Sequence, residues 1–436
     1  MKRLSLVLAL LAVGSSGFAD SPRAGNVILV HPDGSSLAAW NAFRITTVGP
    51  DGNTNWDRLP GVALYRSHFS DGLSPTSHGG GTVHAWGVKV VADSYGMDGI
   101  KPIVARSGAD APLLIEAKKA GLAVGIVQSG QIAEPGTGVF LASSPKRSDY
   151  AGIASTMLAS GADVILAAGE RYLLPKGVKG RHGAGDRADG RDLVAESRAA
   201  GYAVVHTREE LAAAAADTKV KKLLGVFAEN ATYNAAPEET LAEKGLKPYA
   251  PEAPTVAEMA DAALRVLERT GKRFALVVEE EGTDDFANAQ NASGLFEAFR
   301  RADAAIGVAR DFVAAHPETL LLTAADSDAS GLQIVGLGRK NETAAEPRVP
   351  ATTKLGNPVD GVAGQGTEAF LSGPDRAGRR FWFGVTFTAK EDMVGGVVVR
   401  AEGLNRERLP VNLDNTELYV AMWETLFGRE LPPRVD

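Results

Sequence analysis

The run Thr255-Val-Ala-Glu-Met-Ala-Asp-Ala-Ala-Leu-Arg-Val-Leu-Glu-Arg-Thr-Gly-Lys-Arg-Phe-Ala-Leu-Val-Val-Glu-Glu-Glu281 holds a helix, a stop, a strand and a cluster of acids in one stretch. Thr255 with Glu258 three residues on is a capping box, in which each side chain satisfies a backbone N–H that the helix start leaves bare. Apolar residues then recur at helical spacing until Gly271. Phe274–Val278 follows as a short apolar run of strand length. The same alternation runs along the chain. Strands are predicted at 26–30, 123–127, 163–167, 223–227 and 319–323, and helices at 113–120 and 294–315. This pattern predicts an α/β fold, a large and mostly parallel central sheet with helices on both faces. Asp33, Glu279 and Asp326 each stand directly after one of these strands. In open α/β sheets, ligands bind outside the carboxyl ends of the strands, so the three acids are expected at one rim.

Composition narrows the chemistry. The 436 residues carry a formal charge of −7 and no cysteine. A thiolate nucleophile, a thiolate metal site and disulfides are therefore excluded, and stability must come from a core. No Lys/Arg-rich run supports nucleic-acid binding. Met1-Lys2-Arg3, an apolar stretch from Leu4 to Val13 and small residues up to Ala19 form a signal-peptide pattern. The apolar stretch is too short to span a bilayer. The expectation is thus an exported protein, periplasmic or secreted and without stable membrane insertion. Its parts are a leader over 1–19 and a single catalytic domain over 20–436, with a Gly- and Pro-rich loop insertion around 336–366. Gly183–Gly190 is read as a mobile loop that cradles no nucleotide.

Three clusters can carry chemistry. Ser74–Lys89 sets Thr76-Ser77 before Gly79-Gly80-Gly81. Glycine allows close backbone approach, and a helix starting near Ser77 would attract an anion to its N-terminus. A bare glycine-rich turn is the alternative. Val277–Asn288 packs five acids behind a strand. Such charges repel unless a cation compensates, and hard divalent cations do so with oxygen donors; a solvated acidic loop is the alternative. Thr323-Ala-Ala-Asp326-Ser-Asp328 is the third cluster.

In order, these motifs resemble the alkaline phosphatase family. That family has a strand ending in Asp-Gly, a Ser stretch closed by Gly-Val-Lys, a Val-Glu-x4-Asp metal motif, a Thr-Ala-Asp strand end and a late Asp-x-Thr-x-Leu helix. Here these correspond to Asp33-Gly34, Ser77 with Gly87-Val88-Lys89, Val278-Glu279 with Asp284, Thr323 to Asp326, and Asp414 to Leu418. The resemblance implies an alkaline-phosphatase-like fold and a metal-dependent phosphomonoesterase acting through a phosphoserine on Ser77. It implies that Asp33 bridges metals, that Asp284 and Asp326 are direct ligands, and that Thr137 and Glu279 serve a magnesium-like position. It also implies that Arg147 clamps phosphate, and that the chain is a homodimer.

The chain departs from the family at its three zinc-binding histidines. Asn288 replaces the one in the Asp284 motif, Ser327 and Asp328 follow Asp326, and no histidine stands near Val362. Asn288 and Asp328 are therefore taken as substitute ligands. Imidazole suits zinc, whereas carboxylate and amide suit calcium or magnesium. Two or more divalent ions are expected, with Ca²⁺ or Mg²⁺ favoured and Zn²⁺ admitted if His31, His78 or His84 is recruited. Thr76 competes with Ser77 as nucleophile, since the family has Asp at that position. The competing functions are phosphodiester or sulfate-ester hydrolysis, or silent metal or phosphate binding on the same fold.

Overall fold

The computed structural model describes residues 21–360 and 369–432. The leader reading, and the Val362 region of the expected insertion, lie outside the described residues. Strands in chain order are β1 (Asn26–Pro32), β2 (Gly61–Arg66), β3 (Ala123–Gln131), β4 (Val164–Ala168), β5 (Ala203–Val205), β6 (Leu223–Val226), β7 (Phe274–Glu280) and β8 (Thr319–Thr323). They continue with β9 (Asp328–Ala329), β10 (Gln333–Gly336), β11 (Phe370–Leu371), β12 (Trp382–Thr386), β13 (Asp392–Met393), β14 (Val398–Gly403) and β15 (Asn412–Asp414). Ten of them form one sheet in the order β15-β2-β14-β8-β1-β7-β3-β4-β6-β5. From β8 to β5 every pairing is parallel, and β14 runs against both of its neighbours.

Alternation along the strands sorts two cores. Val27 and Leu29, Val124 and Ile126, and Ala275 and Val277 point to one face, where the Leu113–Lys119 and Glu417–Phe427 helices lie. Ile28 and Val30, with Leu276 and Val278, point to the other, beneath the Val256–Glu268 and Ala292–Ala315 helices. The Thr255 capping box forms as its sequence requires. All these strand residues are at most 1% exposed, which is why the runs read as continuously apolar.

Two motifs far apart in sequence are tied together by Lys89, whose Nζ lies 3.0 Å from Asp414. The Gly183–Gly190 stretch is pinned, contrary to expectation. Glu170 accepts N–H bonds from Arg181, His182 and Gly183, and the Arg187 guanidinium, 2% exposed, donates to Ala151 and Tyr172 carbonyls. Residues 337–360 lie beside the small β10-β12-β11 sheet, which Asp360 joins through Val385.

Candidate active site

Strands β8, β1 and β7 are neighbours in the sheet, and their carboxyl ends bring Asp326, Asp33 and Glu279 to one rim. Strand register continues the pattern. His31 pairs with Glu279, and Gln128 pairs with Glu279 from the other side. The period of two turns these three side chains to one face and Glu280 to the opposite face. There Glu280 Oε1 accepts from Ser129 Oγ and Tyr249 OH at 2.8 and 2.7 Å, while Oε2 is buried without a partner, so this carboxylate belongs to the core on the far face and not to the rim.

Beyond β7 the chain turns into the Gly282–Asn288 helix, and Asp284 and Asn288 fall one turn apart on it. Asn288 donates to Asp284 Oδ2 at 2.9 Å and accepts from Ser330 Oγ at 2.7 Å. Three acid-rich groups result, each with ligand atoms within 4.8 Å of one another: His31, Asp33 and Asp326; Asp33, Glu279 and Glu281; Glu281, Asp284 and Asp285. Asp33 belongs to two of these groups and so stands between them.

Burial, followed by the charges of Asp392 and Asp33, holds Asp284 well above the ordinary carboxylate range. Burial and the Asp33 charge do the same to Asp326. Glu279 is also raised, by burial first, with His31 opposing. Burial works against a charge on His31, yet its bond to Glu279 and the charges of Asp33 and Glu279 leave it raised. Asp33 Oδ2, Asp284 Oδ1, both Asp326 oxygens, Glu281 Oε2, Asp392 Oδ1 and His31 Nε2 are buried without a hydrogen-bond partner. A nest of carboxylate oxygens left this way is costly unless cations fill it, so the donor set fits divalent metal ions.

Ser77 opens a helix (Ser77–Trp86) whose N-cap is Thr76. The Thr76 hydroxyl donates to the Ala92 carbonyl at 2.5 Å and accepts from Gly79 N–H at 3.1 Å. Its oxygen is therefore occupied, whereas Ser77, 5% exposed, begins the first turn. The three glycines behind it are all points of close approach. A Cβ on Gly79 would stand 2.5 Å from the Ala92 carbonyl, and one on Gly81 2.8 Å from that of Pro135. One on Gly80 would meet Asp326. Since positions three apart share a helix face, the face that carries Ser77 is turned toward Asp326.

Arg147 reaches the same rim. Its Nη1 donates to His78 Nδ1 at 3.1 Å, and its Nη2 lies 3.7 Å from Glu134. His78 Nε2 is 2.9 Å from the exposed Asp93 carboxylate. Burial, then Arg147, lower the His78 pKa. Thr137 stands on the Pro135–Gly138 turn, where a Cβ on Gly136 would fall 1.7 Å from Glu279 Oε1. Gln128 Nε2 links Thr137 Oγ1, at 3.4 Å, with Glu279 Oε2. His84 is buried against Tyr65, with Nε2 2.5 Å from the phenol oxygen.

Asp328 is not brought into this group. In the β9–β13 pair Ala329 stands opposite Asp392 and Asp328 opposite Met393, so neighbouring residues face opposite ways. Asp328 bonds Ser36, and burial lifts its pKa to about 6. Asp392 is the residue that sequence reasoning missed. It interacts with both Asp284 and Asn288. It lies within the two-residue strand β13 rather than after a main strand, so a search for acids after strands passes over it. Gln128 was also missed, because β3 runs to Gln131, past the predicted end at Val127.

A parallel-sheet fold with buried carboxylates at its carboxyl rim, beside a helix that begins on a hydroxyl, defines a metal-binding hydrolase of the phosphoesterase class. The sequence model of the family described as alkaline phosphatase matches residues 24–357, and this chain belongs to that family. The alkaline phosphatase of Gadus morhua is 26% identical over 351 residues, covering 70% of this chain and 69% of the relative. That of Escherichia coli (strain K12) is 25% identical over 382 residues, covering 79% and 76%. Among solved structures, the alkaline phosphatase of the Antarctic bacterium TAB5 superposes with a TM-score of 0.69 at 19% identity, over 94% of this chain and 100% of that one. The Thermus thermophilus enzyme gives 0.70 at 23% identity, over 97% of each chain. Among the described residues no helix is long and apolar enough to cross a membrane.

Proposed function

We propose that this chain is an exported phosphomonoesterase, periplasmic or secreted, that works through a phosphoserine on Ser77. The observation that carries the reading is the set of buried, unpartnered carboxylate oxygens beside the helix face that bears Ser77. The substrate is a small phosphate ester. Its phosphate sits at the N-terminus of the Ser77 helix, where free N–H groups and the helix dipole favour an anion. Arg147 turns its fork from Glu134 and His78 onto two non-bridging oxygens.

Ser77 Oγ attacks phosphorus in line, its P–O bond forms as the bond to the leaving alcohol breaks, and the alcohol departs with a proton. Water then attacks the phosphoserine, which returns the serine hydroxyl and free phosphate. Divalent ions, two or more, would be held by Asp33, Asp284, Asn288, Asp326 and Asp392, with Thr137 and Glu279 at a further position, and would supply Lewis-acid charge to the attacking and leaving oxygens. Oxygen donors predominate, which favours Ca²⁺ or Mg²⁺. A homodimer is proposed by analogy with the family.

The test is an assay of chelated protein with a chromogenic phosphomonoester, a phosphodiester and a sulfate ester, after adding Ca²⁺, Mg²⁺, Mn²⁺ or Zn²⁺ singly. Monoester turnover restored by a cation is the expected result. Faster diester or sulfate cleavage would move the assignment within the superfamily. No turnover with any cation would make the chain a silent binder.

A further inference from the structure

We propose that His31 is itself a cation ligand, through Nε2, alongside Asp33 and Asp326. This rests on the reading that the carboxylate nest holds metal ions, and it makes one position of an otherwise all-oxygen centre a mixed nitrogen and oxygen site. Four observations point the same way. The ring is 1% exposed and lies within 4.8 Å, ligand atom to ligand atom, of the Asp33 and Asp326 carboxylates. Nδ1 is 3.2 Å from Glu279 Oε1, and with Glu279 ionised, as it is when a cation is bound beside it, the neutral ring carries its proton on Nδ1 and keeps a lone pair on Nε2. Nε2 is buried and without a partner, as are both oxygens of Asp326 and Oδ2 of Asp33. Finally, Glu279 is itself fixed by the Gln128 amide on its other oxygen. A lone pair among acceptors has nothing to bond unless a cation stands between them. A carboxylate that orients the far nitrogen of an imidazole is also the usual support of a metal-bound histidine.

Asp284, Asn288 and Asp392 offer oxygen alone, so the two halves of the centre differ in kind. The His31 half is suited to a d-block ion such as Mn²⁺ or Zn²⁺, and the Asp392 half to Ca²⁺ or Mg²⁺. His84, packed edge-on against His31 with centroids 5.6 Å apart, is held by Tyr65 through Nε2; its Nδ1 is also unpartnered, but His84 joins none of the three carboxylate groups, so it is the natural control.

The experiment uses the full chain, stripped of metal and loaded with Mn²⁺ alone, read by pulsed electron paramagnetic resonance. The expected result is modulation from a directly bound imidazole nitrogen. That modulation should vanish in His31→Gln and persist in His84→Gln. Glu279→Gln should weaken Mn²⁺ affinity by roughly 10- to 100-fold. If His31→Gln fails to fold, ¹⁵N-histidine labelling of the unmutated chain, compared with labelled His84→Gln and His78→Gln, identifies the ring by elimination. Bound Mn²⁺ without nitrogen modulation, or modulation that survives His31→Gln, overturns the assignment and leaves the carboxylate site standing. No retained Mn²⁺ overturns both.

Discussion

Gly80 and Asp326 touch where a side chain cannot go: a Cβ on Gly80 would stand 2.3 Å from the Asp326 Cβ and 2.8 Å from its Oδ2. Glycine in a helix costs roughly 1 kcal/mol relative to alanine, so this helix tolerates its three glycines for proximity. The contact sets how far the Ser77 helix stands from the carboxylate rim.

Gly80→Ala should therefore lose stability, although helix propensity alone favours it. Overpacking of this kind costs about 1–3 kcal/mol, which exceeds the propensity gain. The turnover number should fall as well, because the helix carrying Ser77 must shift. Gly72→Ala, with nothing within 4 Å, should change neither. Thermal unfolding and steady-state kinetics check this pair, and a stabilised, fully active Gly80→Ala would refute the contact.

Ser77 and Thr76 separate by the bonds they make. Thr76→Ala should cost about 1 kcal/mol, the usual loss for a helix cap, and should retain measurable turnover. Ser77→Ala should abolish turnover and the acid-stable phosphoenzyme while leaving the unfolding temperature near that of the parent. Phosphate labelling followed by peptide mapping reads this out, and label on Thr76 would reassign the nucleophile.

The sheet was legible in the sequence because buried parallel strands must be continuous apolar runs, and Phe274–Val278 and Thr319–Thr323 are such runs. The rim was legible wherever an acid follows a strand, as with Asp33 and Asp326. Asp392 was not legible, since its place depends on the β9–β13 pairing, which carries no periodic signal in strands of two residues. That same pairing turns Asp328 away. Asp328 and Asp326 look equivalent in sequence, and only the reversal of side-chain direction along the chain separates them. His31 was read as a histidine near the site, but its orientation depends on register with Glu279, which no local pattern reveals.

Asp392 should matter to cation binding and Asp328 much less. Asp392→Asn removes a charge that faces Asp284 and Asn288, while Asp328→Asn alters a carboxylate bonded to Ser36. Calorimetric titration of Ca²⁺ into chelated protein should show affinity lowered tenfold or more, about 1.4 kcal/mol, for Asp392→Asn. Equal losses for the two variants would mean that Asp328 reorients into the centre on binding.

Glu134 links pH to the phosphate clamp. Burial dominates its environment and lifts its pKa from 4.5 to about 8; Arg147 opposes this, Asp285 and Glu279 reinforce it, and a bond from Gln131 lowers it. Well below pH 8 Glu134 is therefore neutral in the folded chain, and no carboxylate charge holds Arg147 Nη2 back from phosphate. As the pH rises through 8 the carboxylate forms, 3.7 Å from Nη2, and competes with substrate for the guanidinium. KM should thus climb above pH 8 in the parent, and Glu134→Gln should flatten that climb with little change in kcat. The stability sign follows from the same shift. The folded state holds a proton that the unfolded chain releases near pH 4.5, so this group favours folding fully below that value, and its contribution is lost as pH rises to 8. Glu134→Gln should then gain on the parent in unfolding temperature between pH 5 and pH 8 and hold a constant advantage above it. A variant whose KM profile and melting profile both run parallel to those of the parent would show that Glu134 does not hold its proton in this range.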